Sequence, residues 1–398
     1  MMAASAAAEK GSDCILLESG NRLGNKIRIT GKGRCNITND CDIESIMDNV
    51  RRNRNFLYSS LYTFTNHEIV EYFEKLGVKT KIERGGRVFP VSDKADDVAL
   101  AMENDIRSRG VRVIKNSKAV DILTDGKSAV GAVDANGTRF SASRVILACG
   151  GASYPSTGSD GNGYDLAKKT GHEIVSPRGV LTGLNSTTPW VEKVMGLSLR
   201  NVNLGIFESG CEIFSMQGEM LFTHYGISGP IVLTASSALF DSRFSDVTAV
   251  LDLKPALDSE KLDRRLQRDF TENSRKDFSN SLDKLLPRKM IPIIVELSGI
   301  EATKKVNQIT AGERKKLVEL LKNLEIKITG SRPINEAIVT AGGVAVEQIN
   351  PSTMESRIID NLYFCGEMMD IDANTGGYNL TLAFSTGHLA GSCAAEGL

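Results

Sequence analysis

Apolar and polar positions change their spacing several times along the chain, and each change marks an element. Residues 2–10 are mostly alanine and suit a helix, which Gly11 stops before CILLES, residues 14–19, a short strand apolar on both faces. The next stretch is loop-like and rich in glycine. From Asn66 the run NHEIVEYFEKLG places Ile69, Val70, Phe73 and Leu76 at helical spacing behind a capping residue, and a second helix is expected from Lys94 to Arg109. Between Gly110 and Ala148 the period shortens to that of strands. VRVIK, KAVDIL, AVGAVDA, TRF and RVILA, with Asp-Gly at 125 and Asn-Gly at 136, predict an antiparallel meander feeding a buried strand. That strand ends in CGG and runs through GASYPSTGSDGNGYDLAKKTGH, a loop of small residues entering a helix at about 161–170. From about Thr187 the alternation of LRNVNLGIFES and TAVLDL predicts a half-buried sheet. Residues 258–323 then carry charged amphipathic helices interrupted by Pro287 and Pro292, with Leu317, Leu320, Leu321 and Leu324 as a core stripe. The final stretch returns to the first texture, where the strand NLYFCGE enters a glycine-rich loop and a helix starts near Gly377 or Asn379. The pattern predicts an α/β protein whose nucleotide-binding domain is discontinuous, residues 1–186 and 331–398, around an inserted β-rich and helical lobe at 187–330.

Length and charge narrow the function classes. A chain of 398 residues exceeds what one core usually fills and suggests two or three lobes. With 48 basic and 49 acidic residues the net charge is −1, so no global field draws the protein to nucleic acid or to an anionic membrane. The runs RRNR at Arg51–Arg54 and ERKK at Glu313–Lys316 read as solvated faces. Seven cysteines with no CxxC pair argue against a disulfide framework or a metal site and for a reducing, cytoplasmic setting. No stretch is apolar for the length of a membrane span, and the opening lacks the basic start of a signal peptide.

Three constellations carry chemistry. Glu18 closes the strand CILLE where a βαβ unit places the carboxylate that accepts bonds from a ribose diol. The segment KIRITGKGRCNITN, Lys26–Asn39, crowds glycines, a cation and amides into a stretch with no apolar period. There Gly31 and Gly33 allow close backbone approach while Arg34 and backbone N–H groups suit a pyrophosphate. In DIDANTGGYNL, two glycines stand before a helix whose N-terminal N–H groups suit an anion, such as the negatively charged edge of a reduced flavin.

The motifs TGKGRCNITN, ILACGGASYPSTGSDGNGYDLA, FTHYGISGP, NEAIVTAGGV, TMESR and LYFCGEMMDIDANTGGYNL occur in order along the whole chain. Together they closely resemble the aminoacetone-oxidase-like, bile-acid-reductase-like family of NAD(P)/FAD-dependent flavoproteins. The resemblance implies a glutathione-reductase-like FAD domain of Rossmann type with non-covalent FAD. On that basis Glu18 binds the adenosine ribose, and Lys26, Thr30, Gly31, Gly33, Arg34, Cys35 and Asn36 line the pyrophosphate and flavin side. Val120 meets the adenine through its backbone. Ala148 and Gly150 belong to a strand-end element in which Cys149 stands where threonine is usual. Gly366, Glu367 and Asp370 contact the ribityl and phosphate region, and Gly377, Asn379 and Leu380 cap the flavin ring. The family begins with a strand and a GxGxxG turn, whereas this chain starts at or just after the last of those glycines. Roughly ten to fifteen residues would restore them. A start assigned to an internal methionine is the expectation; in a true truncation flavin binding would be weak or lost.

The function expected is an FAD-dependent oxidoreductase that passes a hydride between a small organic substrate and flavin, with NAD(P)H or dioxygen as the second partner. Alternatives are an amine or aminoketone oxidase that forms hydrogen peroxide, and a flavin-free scaffold. RNA modification ranks last because the charge is balanced. His224 and Tyr225, in a glycine-bounded loop, are the candidates for handling a substrate proton. His67, His172 and His388 read as structural, and Cys35 as a buried inert thiol. No metal, nucleic-acid or membrane partner is expected, and neither substrate nor oligomeric state is legible.

Overall fold

Thr65 accepts from the backbone N–H of Glu68 while the Glu68 carboxylate accepts from that of Thr65, and this capping box starts the helix Asn66–Lys75. Ile69 and Phe73 turn its apolar face into the core. The computed structural model that contains this helix describes residues 1–396, and they divide into two compact units. One comprises Met1–Val180 with residues 333–396; the other is Leu181–Arg332.

The first unit contains two parallel strand pairs, Ile15–Glu18 with Arg112–Lys115 and Val145–Leu147 with Leu362–Phe364. VRVIK therefore does not join the antiparallel meander expected of it. It follows the helix Ala95–Ser108 and returns beside the first strand, as a β–α–β crossover does. The meander itself is Ala119–Asp125, Ser128–Asp134 and Arg139–Ser141. CILLES is half-buried along its length, not fully buried, and among the described residues it pairs on one side only. Further antiparallel pairing joins Thr38–Asn39, Arg87–Pro90 and Thr80–Glu83, and joins Ile174–Val180 to Val339–Val344.

The helices Met2–Glu9 and Tyr378–Glu396 close this unit by packing on each other. A Cβ on Gly387 would touch Met2, and one on Gly391 would overlap the backbone carbonyl of Ala3. Small residues at Gly387 and Gly391 thus let this helix pack closely on another helix.

The second unit is a closed six-stranded barrel. Its strands run Leu184–Ser186, Gly226–Ser228, Cys211–Phe222, Ser198–Glu208, Val247–Asp252 and Leu324–Ser331 in spatial order. Leu184–Ser186 pairs on both sides, which is why the division falls at Val180/Leu181. The helices Pro230–Ala238, Ser259–Glu272, Ile291–Ser298 and Ala311–Lys322 share one apolar core with the barrel. Pro292 sits in the first turn of a helix and so starts it instead of interrupting it, because its missing N–H costs nothing there. Leu317 and Leu321 are core, Leu320 packs at its margin, and Leu324 begins a strand.

Gly391→Ala should destabilise the protein by about 1–3 kcal/mol, since a backbone carbonyl cannot swing away as a side chain can. Gly312→Ala, in an open helical position, should stabilise it by about 0.5–1 kcal/mol. Thermal or urea unfolding of the two variants checks the opposite signs.

Candidate functional site

Glu18 ends its strand with the carboxylate turned back on the chain, where Oε1 accepts from the Gly20 N–H at 2.7 Å. A Cβ on Gly158 would lie 3.4 Å from Ser19 Oγ and 3.9 Å from Glu18 Oε1, so the loop after the second parallel pair reaches the end of the first strand. The amino group of Met1 lies within Coulombic range of Glu18 and the Cys365 thiol, and burial pushes its pKa down.

Lys26 and Glu367 were both expected at the cofactor, and they form an ion pair with each other. Ser153 takes part, receiving a bond from Lys26 Nζ at 2.7 Å and donating to Glu367 Oε1 at 3.0 Å. The Thr340 N–H donates to the same carboxylate oxygen at 2.8 Å, and Thr340 Oγ1 accepts from the N–H groups of Ala152 and Ser153. One network thus ties together four segments that are far apart in sequence. Ser153 and Thr340 lie inside motifs the sequence made conspicuous, yet small hydroxyl residues carry no signal that separates a network member from a turn.

In the loop after Ile29, Gly31, Lys32, Gly33 and Cys35 all have positive φ. Gly31 and Gly33 are exposed, Thr30 Oγ1 donates to the Ile27 carbonyl, and Asn36 Oδ1 is buried without a partner. Cys35 is buried, which pushes its thiol up to about 12 and keeps it neutral. Arg34 points elsewhere. Its guanidinium pairs with Glu83 and Asp93 and lies 4.2 Å over the Phe89 ring.

Val120 stands at a register shift of the meander between Ala119 and Asp121, and its carbonyl accepts from Lys169 Nζ at 2.7 Å. Ala148 and Gly150 follow the strand Val145–Leu147, and Gly366 follows its neighbour, with its N–H donating to Thr386 Oγ1 at 3.0 Å.

Asp370 is clasped, not open. Arg52 Nε and Nη2 reach its two oxygens at 2.8 and 3.1 Å, and Asn53 Nδ2 donates to its carbonyl at 2.6 Å. The run Arg51–Arg54 is therefore not simply a solvated face. Asn379 clasps the next turn by accepting from the Ala373 N–H and donating to its carbonyl. A Cβ on Gly377, whose φ is +103°, would overlap the Thr38 carbonyl. Leu380 packs at the margin of the apolar cluster that contains Cys35, Ile37 and Phe384.

These features suit a dinucleotide. A carboxylate ends the first strand, a half-buried cation stands at the joining loops, an orphaned amide oxygen lies in the loop at Asn36, and a glycine-preceded helix offers free N–H groups. Among the described residues no cluster of three or more His, Cys, Asp or Glu could hold a metal, and no helix is long and apolar enough to cross a membrane.

The model of the HI0933-like protein Rossmann domain matches residues 1–393. The chain belongs to the HI0933-like Rossmann family. As a member, the protein is an oxidoreductase, and its fold is of the Rossmann type that binds FAD. The chain is 32% identical to 3-dehydro-bile acid delta(4,6)-reductase of Clostridium scindens, over 100% of this chain and 96% of that one. It is 26% identical to ribosomal RNA dihydrouridine synthase of Escherichia coli, over 100% and 94%. Its fold is similar to that of 3-ketosteroid delta1-dehydrogenase from Sterolibacterium denitrificans, with a TM-score of 0.51 at 14% identity, covering 100% and 97%.

One acidic group in this HI0933-like site was invisible in the sequence. Asp372 is 1% exposed and its Oδ1 has no partner. Burial, with Asp370 adding to it against Arg52 and Arg51, pushes its carboxyl up to about 7. In an unfolded chain the same group ionises near about 3.9. Between those values the folded state binds more protons than the unfolded one, so this residue's contribution to stability falls as pH rises from about 4 to about 7. Asp372→Asn should remove that slope. Its melting temperature relative to the parent should be higher near pH 8 than near pH 5, and an equal difference at both would count against the protonated state.

Proposed function

We propose that this family member is an FAD-dependent reductase that saturates a carbon–carbon double bond conjugated to a carbonyl, with NAD(P)H as the electron source. What supports the reading is the chemistry shared by two relatives that align over nearly their whole lengths. A 3-oxo compound unsaturated at position 4 is an enone, and the C5–C6 double bond of uracil, lost in dihydrouridine, is conjugated to its C4 carbonyl. The same reaction type covers both substrates. The net charge of −1 supplies no general attraction to RNA, so a small conjugated ketone is the first substrate class and uracil the second.

FAD, when bound, supplies the hydride. Glu18 would hold the adenosine ribose, with the Val120 backbone at the adenine. Lys26 with Glu367 and Ser153 would hold the ribityl and phosphate region, joined by the loop Thr30, Gly31, Gly33, Cys35 and Asn36. Ala148, Gly150, Gly366 and Asp370 would shape the loops, and Gly377, Asn379 and Leu380 would present the start of the last helix to the flavin. Arg34 is committed to Glu83 and Asp93. Its part is to stiffen the loop through the Phe89 strand.

Purified protein should be yellow, or become so with added FAD. After anaerobic reduction by NADPH or NADH, 4-androstene-3,17-dione or uridine should restore the oxidised colour and gain two hydrogens. Hydrogen peroxide formed from an amine would instead favour the oxidase, and protein that takes up no FAD would favour the scaffold.

A further inference from the structure

His224 and Tyr225 occupy the centre of the hairpin turn between the barrel strands Cys211–Phe222 and Gly226–Ser228, closed by the Thr223 N–H donating to the Gly226 carbonyl at 2.8 Å. The turn is built around the Tyr225 ring. The Arg332 guanidinium lies 4.5 Å over its face, and the His224 imidazole packs nearly perpendicular to it, with ring centroids 5.0 Å apart at 83°. Arg332 is held in turn, with its backbone N–H donating to the Gly183 carbonyl at 2.9 Å and Nη1 reaching Asn185 Oδ1 at 3.5 Å. Asn185 sits between Gly226 and Gly330 in the barrel ladder, so its position is set by strand pairing on both sides.

Gly183 makes room for the phenol. A Cβ there would lie 2.6 Å from Tyr225 Oη and 2.7 Å from Cε2. Arg332 and His224 therefore both pack on the ring of Tyr225, whose hydroxyl has no hydrogen-bond partner among the described residues, and Asn185 reaches Arg332 within the same unit. Thr223 Oγ1, at the start of the turn, is buried and also without a partner. The apolar core of the barrel does not require such an arrangement, and its cost is a glycine at 183 and the buried Thr223 Oγ1 left unbonded.

We propose that Tyr225, backed by Arg332 and packed against His224, is the barrel unit's binding site for the carbonyl oxygen of a conjugated ketone or uracil. A cation over the ring draws electron density from the phenol and makes its O–H a stronger donor. An oxygen conjugated to a double bond carries more negative charge than that of an isolated ketone, so this donor favours the conjugated class. The assignment deepens the reduction proposed above and rests on its substrate class.

Trp190 provides the readout. It is the chain's single tryptophan, it is 6% exposed, and its ring lies 5.7 Å from that of Phe222, the residue before the turn. Titration of the oxidised holoenzyme with 4-androstene-3,17-dione, and separately with uridine, should give a saturable change in Trp190 fluorescence with at least one of them, which also tells the two sources apart. Tyr225→Phe and Arg332→Gln should each weaken that binding by about tenfold or more, with unchanged melting temperature and flavin content. Gly183→Ala, which displaces the phenol, should match Tyr225→Phe. Arg332→Lys, which keeps charge without the planar stack, should fall between. Binding by Tyr225→Phe and Arg332→Gln with parental affinity would overturn the site while leaving the reduction intact if the holoenzyme still saturates the ketone. A parent protein that binds neither probe would overturn both.

Discussion

The contact on which the first unit depends is between two backbones. Its residues come from the two ends of the sequence, and the helices Met2–Glu9 and Tyr378–Glu396 join them at a separation that only a missing side chain permits. Ala3 and Gly391 meet main chain to main chain, and Ser385 on the same helix donates to the Phe64 carbonyl at 2.7 Å. The last helix therefore has one rotational setting, and that setting determines where its first turn and the Asp370–Asn374 loop before it lie. The parallel pairing of Leu362–Phe364 with Val145–Leu147 supplies a second joint, in which ladder hydrogen bonds fix the register.

Much of this was legible, for reasons that differ by element. The helix at Asn66 announced itself by period and cap, and the strands of the meander by their Asp-Gly and Asn-Gly turns. VRVIK was legible as a strand but not as to its partner, because apolar content does not distinguish a parallel neighbour contributed from far upstream from an antiparallel one nearby. Pro292 misled in the same way, since a proline reads as a break until its place in the first helical turn is known.

The site shows where single-residue reading stops. Sequence motifs marked Lys26 and Glu367 as ligand contacts, and the structure shows what they do to each other first. Each holds the other's charge in a half-buried place where neither would be stable alone. By sequence alone Arg34 is the natural partner of a phosphate, but Glu83 and Asp93 lie far along the chain and nothing local foretells them. Asp372 is the clearest case. Its neighbour Asp370 is matched to Arg52, which leaves Asp372 buried beside an ion pair already satisfied, and only the fold brings that about.

The insertion of a closed barrel into a split unit also has a consequence in time. Leu181–Arg332 can complete its own ladder and core as soon as it leaves the ribosome, since every strand it needs lies within it. The first unit cannot. At about 5–20 residues per second, translation of the barrel and of the residues after it keeps Met1–Val180 waiting for its last helix for roughly ten to forty seconds. During that interval the alanine-rich face of Met2–Glu9 and the free edge of Val145–Leu147 are uncovered. The nascent chain is thus most exposed to chaperones and to misassociation while its inserted unit is already folded.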